Sequence, residues 1–289
     1  MNRAKYKTYS KADKFISNKY ICGWDKMISI YKKYHIAYWC IGVFLIICMI
    51  AVMFLFWKEK WYFPLLVLIP TILLVVVNAI VFTRLATKKL SDEVIVLINE
   101  CQANNYINTL KSLFENKAKG PVVNTYNMLL AEGYAVIDDY DSVYYCCQNM
   151  KSKAYMPARC NFMIGYYLKK EQRALAENEM EELRKLLATI KNQQYREKFE
   201  TSLKNAEYSI RIMDGNYDGA EEHYKKMLAT IKPLYPLTEV SYSYALGKLL
   251  ILKGEPDRAK EYLNVACEKG GDTKFRKFAE EKLKMLAEN

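Results

Sequence analysis

Histidine is nearly missing from this chain, with two in 289 residues, His35 and His223. Acid-base and metal chemistry at neutral pH leans on that side chain, and no HExxH, GxSxG, Walker-loop or GxGxxG spacing stands in for it. No catalytic residue, cofactor or metal site is therefore expected, and the acidic run from Glu177 to Glu182 reads as a solvated helix face. Cysteine occurs eight times, too sparsely for a disulfide scaffold; the only close pair is Cys146 and Cys147, and no CxxC is present. The thiols should be reduced, with Cys146, Cys147 and Cys160 at apolar positions as core residues. Disorder is excluded by a composition that is 52% hydrophobic and 13% aromatic, including 24 tyrosines.

Two stretches lack charge altogether. Residues 36–57 and 61–83 contain no Asp, Glu, Lys or Arg, and only Lys58-Glu59-Lys60 separates them. As helices they extend ~33 Å each, enough to cross a bilayer. They are expected to form a transmembrane hairpin with a short external turn at 58–60. A cleaved signal peptide is not expected, because the first apolar run starts after 35 residues and is too long for one. Tyr31, Tyr34, Tyr38 and Trp39 at one end, and Phe56, Trp57, Trp61, Tyr62 and Phe63 at the turn, fit two headgroup levels. With no ionisable residue inside either stretch, an anchor is expected rather than a pore. Asn78 would either hydrogen-bond across helices or find water at the interface.

The formal charge of +11 is unevenly spread. Nine Lys and Arg face two Asp before His35, the hairpin carries +1, and residues 84–289 carry 32 basic against 29 acidic groups. Basic flanks on both sides of the hairpin place both termini in the cytoplasm, at the plasma membrane. In the tail, residues 1–35, Lys26, Lys32 and Lys33, with Arg84 beyond the second span, are candidate contacts to anionic lipid. Interspersed signs after Thr83 lack the basic stripe a nucleic-acid surface needs, so no nucleic acid is expected.

Residues 84–289 show helical periodicity without strand-like alternation, and Lys119-Gly120-Pro121, Asp214-Gly215-Asn216, Gly254-Glu255-Pro256 and Gly270-Gly271-Asp272 punctuate helices of ~12 to 17 residues. A unit near Val240 contains Leu246-Gly247, Leu250, Gly254, Asp257, Ala259, Leu263 and Ala266. Leu130-Ala131 with Tyr134, and Ile164-Gly165 with Leu168, Ala176 and Met180, repeat it; Ala131 to Gly165 is a step of 34. Gly215 to Ala220, continuing to Tyr224, matches the turn and second helix, whereas the helix before it lacks the small residue. His223 reads as solvent-facing there.

This spacing resembles the tetratricopeptide repeat. The resemblance implies an α-solenoid of about four helix pairs over residues 124–271, so that with the two transmembrane helices the expected protein is all-α. A poorly matching pair is expected within residues 90–116, and a C-terminal capping helix, Lys274 to Leu286, with Phe275, Phe278, Ala279, Leu283 and Leu286 on one face. The rival is a generic helical bundle. By position, the family's partner groove maps to Arg159, Phe162, Tyr166 and Lys169, with Tyr244 and Lys248. Basic and aromatic groups together suit a protein or peptide partner with an acidic segment; the alternative is that these are ordinary exposed residues. The family's carboxylate clamp of paired Asn and Lys is not reproduced. The expectation is a membrane-anchored scaffold or adaptor. The alternatives are a regulatory or structural subunit of a transport or secretion complex and, last, an enzyme of unfamiliar type.

Overall fold

A computed structural model describes residues 23–55, 68–78, 81, 94–115, 122–230 and 235–288, with side chains in the first segment only at 36–52 and 54. Every regular element among them is helical, as expected. The chain divides into two compact units, Met1–Glu93 and Val94–Asn289.

In the first unit, α1 (Gly23–Leu55) and α2 (residues 68–78) cover parts of the two uncharged stretches. Among the described residues no helix is long and apolar enough to cross a membrane. The described side chains are uncharged over residues 36–52 of α1, ~26 Å of helix, and over the eleven residues of α2, ~16 Å, where Thr71 and Asn78 are the polar ones. Their exposure is patterned. Tyr38, Gly42, Leu45, Met49 and Val52 are half-buried, spaced by four and three; Leu68, Thr71, Val75 and Asn78 repeat that spacing. Half-buried positions at that spacing are the pattern of a helix-packing seam. Lys26, Lys32 and Lys33 lie on α1 with side chains outside the described residues, and Arg84 lies outside them entirely.

The second unit is a run of helical hairpins: α3 (residues 94–99) with α4 (Ala103–Phe114), α5 (Val122–Val136) with α6 (Tyr140–Asn149), and α7 (Met156–Lys169) with α8 (Arg173–Thr189). Then follow α9 (Gln193–Met213) with α10 (Ala220–Thr230), α11 (Pro236–Leu252) with α12 (Pro256–Lys269), and α13 (Lys274–Glu288). Consecutive first helices touch, α5 on α7 and α7 on α9, an arrangement compatible with a solenoid. The pair expected within residues 90–116 is α3 and α4, so five hairpins are present among the described residues. At 21 residues, α9 exceeds the expected length; Asn192 starts it early by accepting from Tyr195 N.

One backbone device repeats at the hairpin turns. Cys101, Asp138, Glu171, Gly215 and Gly254 all take left-handed φ values between 59° and 78°. Each is followed by a residue whose N–H reaches back five positions: Gln102 to Leu97, Asp139 to Tyr134, Gln172 to Tyr167, Asn216 to Arg211, and Glu255 to Leu250, all at 2.9 Å. This is the Schellman ending, which satisfies carbonyls the helix leaves unpaired. Only two of the five turns use glycine, for which this conformation carries no Cβ clash.

Small residues bring paired helices together. A Cβ added to Gly247 would lie 2.8 Å from the Leu263 side chain, so α11 and α12 touch only because that position is bare. Ala259 and Ala266 of α12 are fully buried, as their spacing predicts. One core cluster joins α10 to α13, and another joins α7, α8 and α9.

The two ends of this unit meet. Asp272, in the turn before α13, donates its N–H to the Cys101 carbonyl at 3.1 Å. Its carboxylate accepts from Ala103 N at 2.5 Å and Asn104 N at 2.8 Å, the first amides of α4. Gln102, the helix's own cap residue, makes no side-chain cap bond. Cys101 belongs to the core cluster of the last helices, and a Cβ on Gly271 would collide with its carbonyl oxygen.

Candidate partner groove

The six expected groove residues divide by their surroundings. On α7, Arg159 is half-buried, and its Nη1 lies 3.7 Å from Met156 Sδ of the same helix. Phe162 packs on the core of α7, α8 and α9 instead of standing free. Tyr166 lies tilted against Tyr144 of α6, with ring centres 4.9 Å apart, and meets Tyr167 edge-on at 5.3 Å. Its first neighbours are thus an adjacent helix and its own. Lys248 is exposed.

The structure does bring Lys169 and Tyr244 together, through α13. Phe278 lies 6.0 Å from the Tyr244 ring and 5.3 Å beneath the Lys169 ammonium. Phe275 also meets Tyr244, at 5.9 Å. Lys274 donates to the Tyr140 hydroxyl at 3.0 Å and sits 4.0 Å from Asp138, whose other oxygen holds Lys169 at 2.6 Å. Left-handed Asp138 thus links the cations of α7 and α13. The expected capping helix packs on α12 and α11 and also crosses to α7 and the α5–α6 turn. The expected groove positions Lys169 and Tyr244 are thus covered by the chain itself.

His223 is not on a solvated face. It is 8% exposed, stacked on Tyr208 at 4.8 Å, and its Nε2 lies 2.7 Å from Asn205 Oδ1. Asn205 in turn donates to the Tyr242 hydroxyl at 2.8 Å, so one polar chain ties α10 to α9 and α11. Burial first, then the nearby Lys204 and Lys226, hold the imidazole pKa below its usual value. Ala220, His223, Tyr224 and Met227 fall at helical spacing on one face, and that periodicity marks the histidine as inward.

Three thiols are kept protonated by their surroundings. Cys146, Cys147 and Cys160 are buried as expected, and burial is the first cause pushing each thiol up to about 12. The strongest charge cluster centres on Glu221, which receives Lys225 at 2.8 Å, Arg258 at 2.5 Å and Lys253. Those three hydrogen bonds lower its carboxyl to about 2. Each partner is a single cation on the helix surface, the pattern of a tie between α10 and the α11–α12 turn. Among the described residues no group of His, Cys, Asp and Glu could hold a metal ion.

No family model matches the chain, and neither a curated protein nor a solved structure matches it.

Proposed function

We propose that the protein is a membrane-anchored scaffold or adaptor. Residues 36–57 and 61–83 form a two-helix transmembrane hairpin with both termini in the cytoplasm. The unit from Val94 is an array resembling tetratricopeptide repeats that recruits a protein or peptide partner to the membrane. Arg159 and the exposed Lys248 suit an acidic segment, and the basic tail suits anionic lipid.

The observation that carries the anchor is the exposure of large apolar side chains: Phe44 64% and Phe54 79% on α1, Ile69 64% and Leu73 65% on α2. Leaving such a side chain in water forgoes ~1.5–3 kcal/mol of burial. On α1 the exposed positions Ile36, Trp39, Ile41, Val43, Phe44, Ile46, Ile47, Ile50 and Phe54 surround the helix on all sides except the half-buried stripe. A protein partner covers one side of a helix; lipid covers every side left open by the seam.

Carbonate extraction tests the anchor. The full chain should stay in the membrane pellet, and Glu59→Cys should react with an impermeant maleimide in intact cells, while Lys5→Cys reacts only after permeabilisation. Release into the soluble fraction would sink the proposal. For the array, proximity labelling should lose partners in an Arg159→Ala/Tyr166→Ala/Lys248→Ala variant, and an unchanged partner set would overturn the groove assignment.

A second reading, a subunit of a transport or secretion complex, has Asn78 in its favour: its amide nitrogen is buried with no hydrogen-bond partner among the described residues. A carbonyl from a neighbouring helix would satisfy it. Replacing the hairpin by an unrelated one separates the two, since a scaffold keeps its partners at the membrane and a subunit does not.

A further inference from the structure

We propose that α13 is the resident occupant of a helix-binding face formed by α11 and α12 and edged by α7, and that the partner is an amphipathic helix that replaces it. This rests on the scaffold reading above and adds the partner's chemistry: two aromatic side chains three residues apart, preceded directly by a cation, as in Lys274, Phe275 and Phe278.

Contacts of this triplet define what the face selects. Tyr244 receives both rings, Lys169 lies over the second, and Asp138 with the Tyr140 hydroxyl takes the ammonium. Receptor groups on α7, on α11 and at the α5–α6 turn therefore converge on one helical turn of ligand. An apolar anchor between aromatic and cationic groups, with one ion pair at its edge, is the pattern of helix-in-groove recognition.

Two features make α13 replaceable. It sits at the margin of the core: one of its 15 residues, Ala279, is buried, against seven in the 17 of α11, and Phe275, Leu283 and Leu286 pack on the core only partly buried. Leu283 and Leu286 are only half-buried, and Met285 is 52% exposed, so the apolar stripe runs on into its more exposed C-terminal half. Helices with few buried apolar contacts open at lower free energy than the core. The second feature is a fixed hinge. Thr273 is buried and donates Oγ1 to the Gly270 carbonyl at 2.7 Å, while Asp272 remains bound to α4, so release begins at Lys274 and leaves the closing turn in place.

The test uses the full chain in detergent micelles, a version ending at Thr273, and a fluorescent synthetic peptide of residues 273–289. The shortened chain should bind the peptide at least tenfold more tightly than the full chain, and a Phe278→Ala peptide should lose most of that binding. A folded shortened chain that ignores the peptide overturns the proposal. Should the shortened chain fail to fold, hydrogen exchange in full-length Phe278→Ala decides. Faster exchange confined to residues 274–288 supports release of α13, whereas α12 and α13 exchanging together makes α13 a structural cap and overturns it. If the peptide binds but proximity labelling finds no partner, the scaffold reading fails while the α13 contact stands.

Discussion

Asp272 caps a helix that begins 169 residues before it, its two carboxylate oxygens 2.5 and 2.8 Å from the N–H groups of Ala103 and Asn104. A helix start leaves four N–H groups without partners, and α4 has no cap of its own to meet them. An acidic residue from the far end of the array does so, aided by the helix dipole.

Removing that carboxylate should therefore weaken the array. Asp272→Ala is expected to cost ~1 kcal/mol, the usual size of a lost cap, and Asp272→Asn clearly less, because asparagine also caps. Urea unfolding reads the difference, and hydrogen exchange should rise first at residues 103–105. Equal stability of the wild type and the alanine variant would show that the contact contributes nothing.

Glycine content at the hairpin turns predicts opposite responses. Glu171 holds φ at 59° despite its side chain, so Glu171→Gly should stabilise by up to ~1 kcal/mol. Gly254 holds φ at 78° with open space around a Cβ, so Gly254→Ala should destabilise by ~1 kcal/mol through the backbone alone. Thermal unfolding of both variants checks the signs; a shift in the same direction for both would contradict the strain argument.

Acid should loosen the α9–α10–α11 junction. His223 is disfavoured as a cation by burial and by Lys204 and Lys226, so its folded pKa lies below the unfolded value of ~6.5. The associated stability is fully present above pH ~6.5 and is lost as pH falls through the lower folded value. The urea midpoint should drop between pH 7 and pH 5, and His223→Gln should flatten that part of the profile. A slope unchanged by the substitution would place the titrating group elsewhere.

Close packing at Gly247 leaves no room for even one carbon. A methyl there meets the Leu263 side chain at 2.8 Å and the Ala259 carbonyl at 3.3 Å, and the latter is backbone that cannot turn aside. Gly247→Ala is expected to cost ~1–3 kcal/mol, as overpacked cores do. Leu263→Ala costs ~2–5 kcal/mol on its own at this fully buried site, but in a double-mutant cycle the Gly247→Ala penalty should be smaller in its background, since the nearer obstruction is then gone. An unchanged penalty in that background would mean that the backbone contact dominates.

Local features were legible in the sequence, and distant ones were not. Gly254, Pro256 and Ala259 mark a turn and a packed helix through spacing alone, because turn chemistry and helical periodicity act within a few residues. The stripe of Phe275, Phe278 and Ala279 likewise announces an amphipathic helix. Its destination was not legible, since nothing near Lys274 encodes the approach of Asp138 and Tyr140, more than 130 residues earlier. Gly270-Gly271-Asp272 read as punctuation for the same reason. His223 was misplaced because Glu221 and Glu222 beside it suggested water, although its register with Ala220 and Tyr224 pointed inward. Nor do Cys101, Asp138 and Glu171 advertise their left-handed turns, which only the backbone reveals.

An open stack of helix pairs has two terminal units, each with a single neighbour, and unravels from them first. The bond between Asp272 and the start of α4 gives the first hairpin a second neighbour, so that hairpin has no free outer side from which to fray. Helices α4 to α12 should then lose the stepwise character of a linear stack and unfold as one event, with α13 alone free to open ahead of them.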